Sequence, residues 1–197
     1  MDQGAYAIQL IVGLGNPGSE YAATRHNVGA WLVESLCQQN RLQLKTESKF
    51  NARITEWLLD GKTYKILIPN TFMNHCGQTV GAIAQYYQIP PEAIFVAHDE
   101  LDLKPGVVQF KISGGHAGHN GLRDIINHLQ SRNFRRLRLG IGHPGNKDEV
   151  SDYVLHKPSK AEEQKIRKCI EESINGLPHI LMGDWQSAMR YLHNLTN

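Results

Sequence analysis

An apolar run from Ile8 to Val12, with Gln9 inside it, stops at Gly13. The stretch Gly13–Gly29, GLGNPGSEYAATRHNVG, then separates it from a segment with helical spacing at Val28, Leu32 and Leu36. A short apolar run followed by a Gly/Pro/Asn-rich loop and an amphipathic helix is a strand–loop–helix unit. A unit of this kind buries its strand between layers and commits the chain to an α/β arrangement. The loop also lies where the strand ends of such sheets present functional groups. It carries Asn16, Tyr21, Arg25, His26 and Asn27, side chains that bind, orient and move protons.

Within that loop, Gly13-Leu14-Gly15-Asn16-Pro17-Gly18 has the form GxGxxG. A dinucleotide site needs the helix to begin inside the motif, so that its N-terminus meets the pyrophosphate. Here Pro17 and the segment Ser19–Thr24 intervene, and helical periodicity starts only near Val28. No acidic residue ends a second strand about 20 residues on; Glu34 falls inside the helix. The glycines fit better as hinges of a sharp turn that brings Asn16 over a site.

The rest of the chain continues the same theme without a linker or repeat. Arg53–Leu59, Asp60-Gly61 and Tyr64–Ile68 read as a hairpin, because Asp-Gly suits the positive φ angles of a tight turn. A helix is expected over Val80–Tyr87, ended by Pro90-Pro91, and a strand over Ile94–Ala97, closed by His98-Asp99. Val107–Ile112 is a further strand, Ser113–Gly121 a second Gly-rich loop, and Leu122–Leu129 a helix. Arg136–Ile141 alternates basic and apolar residues as a strand does. Ser159 with Glu162 makes a capping box ahead of a helix bearing Ile166, Ile170, Ile174 and Leu177. Gly176 and Pro178 are expected to kink or break that helix, and Trp185 to His193 to form a final one. Hairpin and crossover connections together predict a single α/β domain over residues 1–197, built around a mixed sheet.

Charge and cysteine content narrow the function. From Lys104 to Lys147 there are eight basic residues (Lys104, Lys111, Arg123, Arg132, Arg135, Arg136, Arg138, Lys147) and one acid, Asp124, although the whole chain carries only +2. A basic face on a nearly neutral protein points to a polyanion such as nucleic acid or phosphate; a merely solvated basic surface is the plain alternative. Cys37, Cys76 and Cys169 are far apart, odd in number and without a CxxC, which argues for a reducing compartment and against a disulfide framework or structural zinc. The N-terminal MDQGAYAIQLIV lacks a basic region, and no apolar run approaches the roughly 18 residues of a membrane span. A cytoplasmic protein is expected.

His26 is the foremost candidate for proton transfer, because an imidazole takes and gives protons near neutrality. Asp99, at the end of the Ile94–Ala97 strand, is the candidate carboxylate to orient it, which would free the second ring nitrogen to activate water. The competing role for Asp99 is to cap the turn toward Pro105-Gly106. Asn16, Asn74 and Asn120 each follow a strand end, and carboxamides there can donate to an oxyanion or grip a peptide group. Asparagine is also an ordinary loop residue. His116 and His119, with His26, His98 and Asp99, could ligate a metal, but HxxH in a glycine loop lacks the helical spacing of zinc hydrolases. Cys76 as a nucleophile has no visible activating group.

Taken together these stretches resemble the bacterial-type peptidyl-tRNA hydrolases. The resemblance is carried by Val12–Gly18, by Tyr21-x-x-Thr24-Arg25-His26-Asn27-x-Gly29, by Thr71–Asn74, by Ala97–Asp102, by Gly118–Leu122 and by Gly140–Gly145, in that order. It implies a single α/β domain with a mixed, twisted sheet flanked by helices, acting as a monomer. It implies cleavage of the ester between a peptide and the ribose of tRNA, which recycles prematurely released peptidyl-tRNA. By similarity His26 is the general base, Asp99 orients it, and Asn74 holds the water or the oxyanion. Asn16, Tyr21, Met73, His119 and Asn120 would bind the substrate near the ester, and Lys111, Arg138 and Arg123 the tRNA phosphate. The resemblance implies no metal, no cofactor and no covalent enzyme intermediate. Two departures stand out. His75-Cys76 replaces an apolar residue followed by serine, and Gln109 stands where some members are basic, which is expected to weaken the tRNA clamp modestly. Neither is expected to touch His26, Asp99 or Asn74. The alternative class is a non-catalytic RNA-binding protein, which would use the basic face and have no need of a His26–Asp99 pair.

Overall fold

In the computed structural model, which describes residues 6–194, the strand–loop–helix unit forms the centre of the molecule. The first five residues, part of the N-terminal stretch that lacks a basic region, lie outside the described residues, as do the last three. The strands are β1 (Leu10–Gly13), β2 (Lys45–Glu47), β3 (Ala52–Leu59), β4 (Lys62–Pro69), β5 (Ile94–Glu100), β6 (Val108–Lys111) and β7 (Arg135–Gly140). The helices are α1 (Val28–Gln39), α2 (Cys76–Tyr86), α3 (Asn120–Leu129), α4 (Val150–Val154), α5 (Lys160–Leu181) and α6 (Trp185–Asn194). The strands form one seven-stranded mixed sheet in the order β2-β3-β4-β1-β5-β7-β6. β1 lies parallel to both β4 and β5, and β5 parallel to β7, while β2, β3 and β6 run antiparallel to their neighbours.

Successive residues of β1 and β5 face opposite layers, as the period of a strand requires. Ile11, Phe95 and Ala97 join α1 and α5 in one core through Leu32, Ile170 and Leu177. Leu10, Val12, Ile94 and Val96 join α2 and α3 in the other through Val80 and Ile125. Both faces of the central strands are therefore covered, which is why they read as unbroken apolar runs. From β1 the chain runs out to β4 on one side and returns to β5 on the other. A switch of this kind opens a crevice beyond the carboxyl ends of the parallel strands.

The hairpin forms as expected, with Asp60 at φ +50° and Gly61 at +74°. Several boundaries differ from the sequence-based expectation, each for a local reason. β5 does not stop at Ala97 but continues through His98, Asp99 and Glu100, because β7 offers partners as far as Gly140. α2 starts at Cys76 after a short turn, Met73–His75, and α3 at Asn120, with His119 as its N-cap. β2, an exposed Lys-Thr-Glu, has no apolar periodicity to announce it, and α4 is a single turn-and-a-half. α5 runs unbroken through Gly176 and Pro178. The burial of Ile174, Leu177, Ile180 and Leu181 outweighs the roughly 3 kcal/mol cost of an internal proline. Gly176 instead gives room for the Tyr191 ring, which a Cβ would approach to 2.6 Å.

One glycine decides how closely the loop can approach the sheet. At the start of α1, a Cβ on Gly29 would lie 2.2 Å from the Ala97 carbonyl oxygen and 2.7 Å from the Leu14 amide nitrogen. Only glycine lets the helix start rest directly on the ends of β1 and β5. Gly29→Ala is expected to destabilise the fold by about 2–3 kcal/mol through overpacking, seen as a fall of about 5–10 °C in Tm. An unchanged melting curve would show that the backbone here can move aside.

Candidate active site

The residues just before Gly29 form a short 3-10 turn, Arg25–Asn27, and its middle residue is His26. The turn is held from three sides. Asn27 accepts a hydrogen bond from the Asn16 amide and donates one to the Asn16 carbonyl, both at 2.9 Å, which closes the long loop upon itself. Arg25 is buried and donates to the carbonyls of Tyr153, His156 and Lys157 and to the Glu162 carboxylate. Its guanidinium lies 3.9 Å from the centre of the Tyr153 ring. The carboxylate of Asp99, at the end of β5, completes the set.

His26 Nδ1 is 2.9 Å from both oxygens of Asp99. A carboxylate at that distance demands a proton on Nδ1, so Nε2 is left with its lone pair. Burial pulls the imidazole pKa down, but the charge and hydrogen bond of Asp99 outweigh it and hold the ring above its usual 6.5. Asp99 is itself buried. Burial favours its neutral form, yet His26 and His119 hold its carboxyl well below the usual 3.8.

The second partner of Asp99 is His119, whose Nε2 lies 2.9 Å from Oδ1. His119 caps α3: its Nδ1 accepts from the amides of Gly121 and Leu122. An acceptor Nδ1 places the ring proton on Nε2, where it is donated to Asp99. Both nitrogens are thus engaged within the protein, so His119 can offer a substrate only its ring. The same fact bears on a metal. His26 Nδ1, an Asp99 oxygen and His119 Nε2 lie within 4.8 Å of one another. A cation there needs lone pairs on both nitrogens, which instead carry the protons that Asp99 accepts. The donor set opposes a metal. His116 is not part of the cluster: its Nδ1 accepts from the Gly118 amide.

His26 and Asp99 lie in the wall of a cavity of about 830 Å³ at the carboxyl ends of the parallel strands. The cavity also receives Asn16, Tyr21, Met73, Asn74, His119 and Asn120, and the cations Lys111, Arg123 and Arg138. Every site residue expected from the sequence therefore lines one space. Their individual settings differ from simple expectation. Asn16 uses its Oδ1 to accept the Met73 amide at 2.7 Å, so only its NH2 group is available to a ligand. Tyr21 stands edge-on to Phe72, with ring centres 6.0 Å apart. Asn74 is exposed, and its Nδ2 lies 3.3 Å from His75 Nε2. His75 therefore does touch the site, contrary to the expectation drawn from the sequence. Arg138 is held by Glu100 at 2.8 Å and by Gln109 Oε1 at 2.8 Å. Gln109 is thus a direct ligand of the arginine. Cys76 is buried, and burial drives its thiol far up, with the Asp124 charge adding to the effect. It is inert as a nucleophile.

Sequence reasoning missed several residues of this space. Val150, Ser151, Val154 and Leu155 of the α4 segment also line it, and their only signal was proximity to Gly140–Gly145. His143, inside that motif, and Lys147, one of the basic residues counted above, line it too. Of the eight basic residues counted together, Arg135 and Arg136 are buried, so the basic face is smaller than the count implies.

A carboxylate-held histidine in a cleft that basic side chains also line has the parts of a water-activating hydrolase for an anionic substrate. Comparison with known proteins makes the class specific. Residues 10–197 match the family model described as peptidyl-tRNA hydrolase. The peptidyl-tRNA hydrolase of Halorhodospira halophila is 50% identical over 185 residues, covering 94% of this chain and 95% of that one. That of Pseudomonas savastanoi pv. phaseolicola is 52% identical over 189 residues, covering 95% and 97%. Among solved structures, a peptidyl-tRNA hydrolase from Acinetobacter baumannii superposes with a TM-score of 0.91 at 47% identity, covering 94% of each chain. A complex of peptidyl-tRNA hydrolase with n-propanol gives the same values. The chain belongs to the peptidyl-tRNA hydrolase family.

Proposed function

We propose that this chain hydrolyses the ester linking a peptide to the terminal ribose of tRNA, with His26 as general base. The observation that carries the proposal is the His26–Asp99 pair at 2.9 Å, set in the same cavity as Asn74 and the basic side chains. In this mechanism His26 Nε2 removes a proton from water as its oxygen attacks the ester carbonyl carbon. Asp99 keeps the opposite nitrogen protonated and stabilises the imidazolium. The Asn74 carboxamide donates to the developing oxyanion, for which its exposed setting leaves it free once it lets go of His75. Collapse breaks the bond to the ribose oxygen, which takes the proton back from His26. An ester has a good enough leaving group for this apparatus to suffice without a covalent intermediate.

The NH2 group of Asn16 and the side chain of Asn120 grip the peptide backbone, beside Tyr21 and Met73. Such contacts suit a substrate whose side chains vary. Lys111, Arg123 and Arg138 meet tRNA phosphate, which positions the ligand without reading its sequence. The working unit in this reading is a monomer in the cytoplasm, where tRNA is found. No helix among the described residues is long and apolar enough to cross a membrane.

Release of peptide from an N-acetylated aminoacyl-tRNA tests the proposal. Binding without release would favour an RNA-binding role, and loss of release in chelator would favour a metal. For the phosphate end, Arg138→Ala is expected to raise KM several-fold and to lower the salt slope by about one, with kcat nearly unchanged. A fall confined to kcat would move Arg138 into the chemical step, a position its bond to Glu100, the neighbour of Asp99, makes worth checking.

A further inference from the structure

Arg136 lies at the start of β7 with only 2% of its surface exposed. Burial, with the nearby Arg138 charge, pushes its pKa down to about 10. Yet no ion pair to it is found among the described residues. Its guanidinium rests 4.4 Å from the centre of the Phe134 ring and donates to two carbonyls: Nη1 to Gly115 at 2.6 Å and Nη2 to Gly114. The Glu100 charge favours the cation only from beyond contact distance, so a buried guanidinium here is expensive to keep and its carbonyl contacts matter to the site.

The two carbonyls belong to the Gly-rich loop between β6 and α3. Within itself that loop is held by little more than two hydrogen bonds, from the Gly118 amide to His116 Nδ1 and from the His119 amide to the His116 carbonyl. Ser113 to Gly118 contributes no buried side chain. Gly114, Ala117 and Gly118 all have positive φ, at +133°, +46° and +83°. The loop nevertheless delivers His119, whose Nε2 meets Asp99, and Asn120, which lines the cavity. The anchor comes from below, from the sheet.

We propose that Arg136 is a positioning residue: by holding the Gly114 and Gly115 carbonyls it sets the loop that keeps His119 on Asp99, and so the orientation of the catalytic pair. This rests on His26 being the general base and Asp99 its orienting carboxylate. The chain of contacts runs from Arg136 through the loop to His119, then to Asp99 and His26. It gives a role other than phosphate contact to a cation on β7 that borders the cavity yet is almost wholly covered.

Arg136→Lys tests the idea, because lysine keeps the charge and its three donors but places them on one nitrogen, without the rigid two-nitrogen fork that meets the Gly114 and Gly115 carbonyls. The expected result is a fall of about 10–100-fold in kcat for N-acetylated aminoacyl-tRNA, with KM within about twofold of the parent. With the His119 bond weakened, the Asp99 charge acts more fully on His26, so the acid limb of the pH profile moves up by about half a unit. Amide exchange should quicken at residues 114–122 and stay slow in β5. Unchanged kcat and acid limb would overturn the proposal. So would a rise in KM alone, which would make Arg136 a phosphate ligand, and so would a variant that fails to fold, since the anchor of one loop does not hold the sheet. His26→Ala measured in parallel separates this from the underlying mechanism: an active His26→Ala removes the mechanism itself, whereas an inactive one beside an unaltered Arg136→Lys removes only the loop anchor.

Discussion

His26→Ala is expected to lower kcat for N-acetylated aminoacyl-tRNA by about three orders of magnitude, while tRNA binding stays within about twofold of the parent. General-base assistance contributes roughly 10²–10⁴ in rate. Its removal here also takes away the proton carrier that the leaving ribose oxygen needs, so a loss well above the foot of that range is expected. Binding survives because Lys111, Arg123 and Arg138, the cations that line the cavity, are left in place. The fold survives as well, because Arg25 and Asn27 still hold the turn when the His26–Asp99 contact is lost. Single-turnover hydrolysis together with filter binding of deacylated tRNA reads both quantities. Turnover within tenfold of the parent would remove His26 as the base.

Asp99→Asn is expected to cost about 10²–10⁴ in kcat and, separately, to change the pH profile. In the parent protein the base works only when His26 is neutral, and Asp99 holds that ring above 6.5, so activity rises as pH climbs through the raised value. An asparagine keeps the shape and loses the charge. Burial then acts on His26 unopposed, its pKa falls, and the acid limb moves to lower pH. The shift is opposite in sign to that expected for Arg136→Lys, because one substitution removes the Asp99 charge and the other releases it from His119. Asparagine can also turn its NH2 toward Nδ1, which forces the proton onto Nε2 and abolishes the base. Movement of the limb upward, or no movement, would mean that Asp99 does not set the His26 pKa.

Much of the chain was legible because its signals are local. Asp60-Gly61 has one economical conformation, Ser159 and Glu162 cap one another across a single turn, and the apolar runs of β1 and β5 report burial on both faces. Where the deciding contact is distant, the sequence fell short. β5 lengthens to Glu100 because β7 lies beside it, and α5 continues through Pro178 because the core offsets the missing bond. The α4 wall of the cavity has no periodicity of its own and is fixed by Arg25 from more than a hundred residues away. Charge misled in a similar way: Arg135 and Arg136 count toward a basic face in the sequence and lie inside the fold.

What the sequence by itself determined is the chemistry on offer: an imidazole at residue 26, a carboxylate at residue 99, carboxamides after three strand ends and a surplus of cations between residues 104 and 147. Residue types and short-range turn preferences fix such things without reference to the rest of the chain. How each group is used depends on the folded arrangement. It placed the Asp99 oxygens between two imidazoles, gave His119 a fixed tautomer through the α3 amides, committed Asn16 Oδ1 to Met73 and turned Arg136 inward. The physical reason is that a proton's position and a group's pKa depend on neighbours within about 3–6 Å, and here those neighbours come from strands and loops far apart in the chain.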